Sequence, residues 1–193
     1  MATRATTVHR LKVTLRQVKP PIWRRIEVAS DIKLSGLSDV LEAAMGWYGG
    51  HLHAFVAGGV HYEVPDPDGF GFGPRPRDER KVRLDEVLPA VKSKMRWDYD
   101  FGNGWEPDVV VEAVEARRTT RTYPVCLAGK RACPPNDCGG PWGYAELLDT
   151  LADPSHPEHD ERAEWVPDGF DPDLFDAAEA TAAMRSDRPL AGW

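Results

Sequence analysis

Leu11, Val13 and Leu15 alternate with Lys12, Thr14 and Arg16, the period of two that turns one strand face into a core and the other into water. Lys19-Pro-Pro21 forces a turn. The next segment then places Ile22, Arg24, Ile26 and Val28 on one face and Trp23, Arg25 and Glu27 on the other. A β-hairpin is the predicted first unit. Leu37, Val40, Leu41 and Ala44 recur at helical spacing, with Ser35 as the predicted N-cap and Gly46 just past the end. Residues 52–56 and 60–64 flank Ala57-Gly-Gly59 and predict a second hairpin.

Residues 65–80 are too rich in Gly and Pro for regular structure and predict a long loop. Residues 82–88 read as a short strand and turn, and 95–101 and 107–114 as strands joined at Gly102-Asn-Gly104. Beyond residue 143 the period becomes helical. Tyr144, Leu147, Leu148 and Leu151 form one stripe closed by Asp153-Pro154, residues 156–165 form a short helix, and Asp171-Pro172 opens a third that buries Leu174, Phe175 and Ala178. Strands followed by helices predict an α+β fold. Its mixed sheet begins β-β-α-β-β, an order open to a β-grasp-like arrangement. The predicted single domain spans residues 1–193: strand-rich over 8–115, a Cys/Pro/Gly-rich loop over 123–143, and helices over 144–185 packed beside that loop.

A chain of 193 residues, 41% hydrophobic, can bury one core of ordinary size. No apolar run approaches a membrane span and the N-terminus lacks a signal-peptide core, so the expected compartment is the cytoplasm, with no membrane partner. Three cysteines, an odd count, argue against a disulfide framework there. The net charge of −7 conceals a gradient. Residues 1–33 carry eight Lys or Arg against two Asp or Glu, and residues 134–193 carry three against fourteen. Such asymmetry marks either a binding face or two parts of the chain that attract each other.

Cys126, Cys133 and Cys138 all lie in the 123–143 loop, where His156 or His159 could complete a tetrahedral zinc site. Their spacing fits no common zinc pattern, and buried thiols are the simpler reading. Arg131 beside Cys133 could lower a thiol pKa, but no base adjoins it in sequence. His51 and His53, two apart on a predicted strand, share a face and could hold a metal or anion with Asp100 or Glu106 as a third ligand. The alternative makes one of them a hydrogen-bonded core residue. Arg16, Lys19, Arg24 and Arg25, with Trp23, Trp47 and Tyr48, combine charge and flat rings as single-strand nucleic-acid binding requires, yet they equally suit a core with an arginine rim.

Several segments together resemble one family: Ile22-Trp-Arg-Arg-Ile26, Met45-Gly-Trp47, His51-Leu-His53, Tyr99-Asp-Phe-Gly102 with Trp105, the run from Arg131 through Asp137 and Trp142 to Tyr144, Asp153 to His159, and Phe170 to Phe175. In this order they are similar to the plasmid pRiA-four-b ORF-three-like proteins, over roughly residues 9–176. Some members carry the label of insertion-element passenger "TnpR" proteins. The resemblance implies an α+β fold and an association with plasmids and transposons, and it brings no established reaction. This chain lacks the arginine cluster and basic segment of a serine recombinase. The family pattern has Asp at the position of Asn103 and His at Pro107, so a site built on those positions would be weakened here.

The leading expectation is a non-enzymatic accessory module that binds a protein or small-molecule ligand without a cofactor, in a pocket between sheet, loop and C-terminal helices. His51, His53, Tyr99, Asp100, Trp105, Arg131, Asp137 and Trp142 are its candidate residues. A metal- or thiol-dependent enzyme is the second reading and requires His51, His53, Asp100 and Cys133 to converge. A nucleic-acid-binding factor is the third and requires Arg16, Lys19, Arg24 and Arg25 to form one exposed stripe.

Overall fold

The computed structural model describes residues 7–47, 50–65 and 75–186. Eight strands form one sheet in the order β5-β4-β3-β6-β7-β1-β2-β8. They are β1 (Thr7–Thr14), β2 (Trp23–Ala29), β3 (His53–Ala57), β4 (Val60–Glu63), β5 (Arg77–Asp78), β6 (Lys94–Tyr99), β7 (Asp108–Ala116) and β8 (Val125–Lys130). The helices are α1 (Leu34–Met45), α2 (Leu84–Val87), α3 (Gly140–Ala152), α4 (His159–Trp165) and α5 (Ala177–Arg185). The protein is α+β, and its opening order is β-β-α-β-β. β1 lies between two antiparallel partners, β2 and β7, and has no parallel neighbour of the β-grasp kind; only β4 and β5 run parallel.

The first hairpin pairs Leu11 with Ile26 and Val13 with Arg24, so the predicted apolar faces of both strands coincide and are buried. α1 packs over β2 on that face and α5 packs against both α1 and β8. Leu37, Val40, Leu41 and Ala44 are the buried stripe of α1, as the spacing predicts. The helix begins two residues earlier than expected. Lys33 is its N-cap, without a side-chain cap, because the Leu34 N–H is taken by the Val82 carbonyl. At the far end of α1, Trp47 stacks on Tyr99, with ring centroids 4.9 Å apart and planes 4° apart, while Trp97 and Trp105 close the cluster around them.

Four further expectations are corrected. Residues 84–87 form a helical turn where a short strand and turn were expected over 82–88, and residues 77–81 form a short strand and a 3-10 turn at the end of the predicted loop. Residues 66–74 of that loop lie outside the described residues. The first part of the cysteine loop is β8, which pairs with β2 through Arg25 and Ala128 and through Ile26 and Cys126. The last helix starts at Ala177, capped by Asp176, whose carboxylate accepts from the N–H groups of Ala178 (2.6 Å) and Glu179 (3.0 Å). Asp171 instead accepts the Asp173 N–H in a local turn, and Leu174 and Ala178 are exposed; Ala180 and Met184 are the residues α5 buries. Among the described residues, no helix is long and apolar enough to cross a membrane.

Candidate functional site

Two features meet at the C-terminal end of α1. The first is a groove of about 780 Å³ bounded by the end of α1, the loop at 132–137 and the segment 165–183. It lies between loop and C-terminal helices, where a pocket was expected, but of the eight candidate residues only Asp137 lines it. Ala43, Met45, Pro134, Leu174 and Phe175 give it apolar walls. Arg24 is the one cation among its lining residues, while Asp137, Asp168, Asp171, Asp176 and Glu179 line it and are exposed.

Arg24 explains how the groove is held. It belongs to the core face of β2, only 2% of it is exposed, and its guanidinium donates to the carbonyls of Ala44 (3.0 Å), Trp23 (2.9 Å) and Lys130 (3.1 Å). One nitrogen reaches Cys133 Sγ at 3.6 Å, and the Phe175 ring lies over the charge at 3.9 Å. One arginine thereby joins α1, the cysteine loop and the segment before α5.

The second feature is a cluster of imidazoles and carboxylates. Asp100, with a left-handed φ of 53°, closes the turn after β6; its carboxylate accepts from the Asn103 N–H (3.3 Å) and the Asn103 side-chain amide (2.5 Å). His51 Nδ1 lies 3.5 Å from Asp100 Oδ2, and its ring stands edge-on to Tyr99. Asp137, also left-handed with φ 59°, brings its carboxylate from the cysteine loop. One ligand atom from each of His51, Asp100 and Asp137 lies within 4.8 Å of the others. Asn103 fastens the two loops, since its side-chain oxygen accepts the Gly139 N–H at 3.1 Å. A Cβ on Gly140, whose φ is +70°, would stand 2.1 Å from the Asn103 carbonyl, so the approach needs glycine.

His53 turns to a different partner. Its Nε2 lies 3.1 Å from both oxygens of the buried Glu79. Burial works against its charged form, but the Glu79 hydrogen bond and the charges of Glu79, Glu42 and Asp39 outweigh it and raise the imidazole above its ordinary value. Burial likewise pushes the Glu42 and Asp39 carboxyls up. The sequence reading missed Glu42, Asp39 and Glu79. The available signal was Asp39 and Glu42 at helical spacing three apart on α1, one buried and one at its edge.

The other expected sites disperse. Cys126 is buried under α5, where its N–H donates to Thr181 Oγ1; Cys133 contacts Met45 and Arg24; His156 is exposed and His159 lies half-buried at the start of α4. Among the described residues these five ligands form no group of three around a common point, and His53 is not part of the one group that does form. Burial pushes the Cys133 and Cys138 thiols up to about 11, with Arg24 pulling Cys133 back only in part. Neither is a thiolate nucleophile at neutral pH. Arg131 pairs with Asp173 and is not the cation at Cys133. Its buried Nε and the buried Tyr144 hydroxyl find no hydrogen bond among the described residues. Trp105 is locked in the aromatic cluster, and Trp142 is 80% exposed and lines no part of the groove.

The basic residues form no single free stripe. Arg24 is buried, Arg16 pairs with Glu106 at 2.9 Å, and Arg25 pairs with Glu112 on the opposite face from Arg24; Lys19 is exposed and Tyr48 lies outside the described residues. Glu106 is thus committed to Arg16 and Arg96 and is not a third ligand to the histidines.

The geometry defines an α+β protein with an acid-rimmed apolar groove beside a His/carboxylate cluster. Comparison with known proteins agrees on the fold. The family model described as "Plasmid pRiA4b ORF-3-like protein" matches residues 7–179, and the chain belongs to that family. The curated protein "Uncharacterized protein y4hQ" from Sinorhizobium fredii (strain NBRC 101917 / NGR234) is 42% identical over 160 residues, which span 82% of this chain and 80% of the relative. A crystal structure of a protein of unknown function, MM3350 from Methanosarcina mazei Go1, is similar with a TM-score of 0.81 and 32% identity, over 91% of this chain and 98% of that one.

Proposed function

We propose that the protein is a binding module whose groove takes a small ligand with an apolar body and a positive charge. The observation that carries this reading is the groove itself: about 780 Å³ of space with apolar walls and a rim of carboxylates. Sites for small molecules generally enclose about 300–1,000 Å³ and combine apolar walls with a few polar groups that set orientation. The sign of the ligand charge follows from the rim. The N-terminal arginines are spent on sheet carboxylates, Arg10 on Glu27 and Glu115 and Arg25 on Glu112, and among the described residues no Lys or Arg forms an ion pair with Asp137, Asp168, Asp171, Asp176 or Glu179 of the rim. Leu174, 65% exposed, supplies an open apolar contact at the edge. The plasmid in the family name supports an accessory role carried by mobile elements.

Decyltrimethylammonium and decyl sulfate share a chain and differ in charge, so thermal unfolding in each below its micelle concentration tests the reading. A ligand at several times its Kd adds about 1 kcal/mol, which raises Tm by about 2–4 °C for a chain of this size. The expected outcome is a rise with the cation, smaller or absent with the anion, and lost in Leu174→Arg. A protein that responds to neither ion, or in which Leu174→Arg changes nothing, rules the groove out as this binding site.

A further inference from the structure

We infer that His51, Asp100 and Asp137 form a site for a divalent first-row transition ion. The three donors come from three separated parts of the chain, the segment before β3, the turn after β6 and the cysteine loop, yet they lie within 4.8 Å of one another. At metal–ligand distances of about 2.0–2.1 Å, two donors on a tetrahedral ion stand about 3.4 Å apart. His51 Nδ1 and Asp100 Oδ2 are already 3.5 Å apart. Asp137, exposed on its loop, brings its carboxylate within 4.8 Å of both.

The surroundings support the same assignment. Metal ligands are usually oriented by a second layer of hydrogen bonds. Asn103 supplies that layer: it holds Asp100 through its backbone and side-chain N–H groups and holds Gly139, two residues after Asp137, through its side-chain oxygen. The Asn103 side chain can do both because its amide both donates and accepts, to Asp100 and from Gly139.

A separate observation comes from α1. Glu42 is more than nine-tenths buried, and among the described residues the only hydrogen bond its carboxylate accepts is a long one from Ser38, 3.4 Å. It lies within electrostatic reach of both His51 and His53. Among the described residues, no Lys or Arg forms an ion pair with Glu42, Asp100 or Asp137. Two carboxylates against one imidazole, with no basic side chain paired to them among the described residues, leave negative charge that a divalent cation neutralises. One imidazole nitrogen with two carboxylate oxygens suits Zn2+ or Mn2+; the absence of thiolate disfavours soft ions, and Ca2+ takes six to eight oxygens.

The test titrates full-length protein, purified without affinity metal and stripped with chelator, with Zn2+ by calorimetry and with Mn2+ by electron paramagnetic resonance. One ion per chain is expected, weakened at least tenfold in Asp137→Asn and in Asp100→Asn. Asn accepts the left-handed backbone at both positions, and circular dichroism confirms that the variants fold. Cys133→Ser should leave the affinity unchanged. Absence of binding, or Asp137→Asn and Asp100→Asn that bind like the parent, overturns the assignment. Loss of binding in Cys133→Ser moves the ion to the thiols and overturns it equally.

Discussion

Arg24 shows how one buried charge can organise a site. Its side chain gives hydrogen bonds to three backbone carbonyls from three different parts of the chain and carries the Phe175 ring on its face. Hydrogen bonds from a charged group are worth about 1.5–3 kcal/mol each, and carbonyls orphaned by truncation keep their desolvation penalty. Arg24→Ala should therefore lower stability by about 3 kcal/mol or more, read as a reduced midpoint in urea unfolding. Arg24→Lys should recover little of it, because an ammonium cannot span the same fork or present a flat face to the ring. The role was hidden in the sequence by residue type. Period two put Arg24 on the apolar face with Ile22 and Ile26, but arginine beside tryptophan equally reads as a surface for nucleic acid. Burial decides, and burial is a tertiary property.

Among elements, the pattern was most legible where one face is apolar and the other wet. β1, β2, α1 and α3 fall where their spacing puts them, since each buries one stripe against the sheet or a neighbouring helix. β8 was obscured because Pro, Gly and Cys around it read as a loop; it exists because the free edge of β2 pairs with it, and Thr181 and Arg185 of α5 then cover part of its own outer edge. The Asp171-Pro172 start failed for a related reason. The Pro172 carbonyl accepts the Ala132 N–H, which ties that segment across the cysteine loop and delays the helix to Asp176. The cluster of Asp100 and Asp137 was legible as residue types, but its closing contact through Asn103 joins positions about thirty-six apart and leaves no local pattern.

The wet face of the sheet carries its own prediction. Burial pushes the Glu27 carboxyl up, but the Arg10 and Arg121 guanidiniums outweigh it and hold it below the ordinary carboxylate range. The Arg25 hydrogen bonds hold Glu112 low as well. Carboxyls depressed in the folded state stabilise it fully above their unfolded values, near pH 4–4.5, and that contribution is lost as the pH falls through the lower folded values. Stability by urea unfolding should fall as the pH is lowered below about 4.5, and the fall should be shallower in Glu27→Gln.

For the whole molecule, the charge gradient resolves into two parts with different uses. The N-terminal Arg10, Arg16 and Arg25 are paired with Glu27 and with carboxylates at positions 106–115, on β7 and just before it, and among the described residues with none of the acids of the C-terminal part. Among the described residues the C-terminal acids that pair with arginine are Asp173, with Arg131 of the cysteine loop, and Glu158, with Arg162 one turn on. The field of the remaining acids is therefore directed over the groove and the neighbouring His/carboxylate cluster, which share Asp137.

Gly129 of β8 gives this arrangement a dynamic meaning. A Cβ there would stand 2.3 Å from the Phe175 ring, so the ring is seated only because the strand offers a bare backbone at that point. The outer wall of the groove is thus attached at the periphery of the sheet through one ring, held between Gly129 of β8 and Arg24 of β2. Segments attached in this way open as units of their own in hydrogen exchange. In Gly129→Ala, amides of α5 should exchange much faster while those of β1 and β7 keep their protection; uniform acceleration of both would contradict it. Access to the groove can then be set by an opening equilibrium of one peripheral segment, adjustable at a single position without loosening the sheet that supports it.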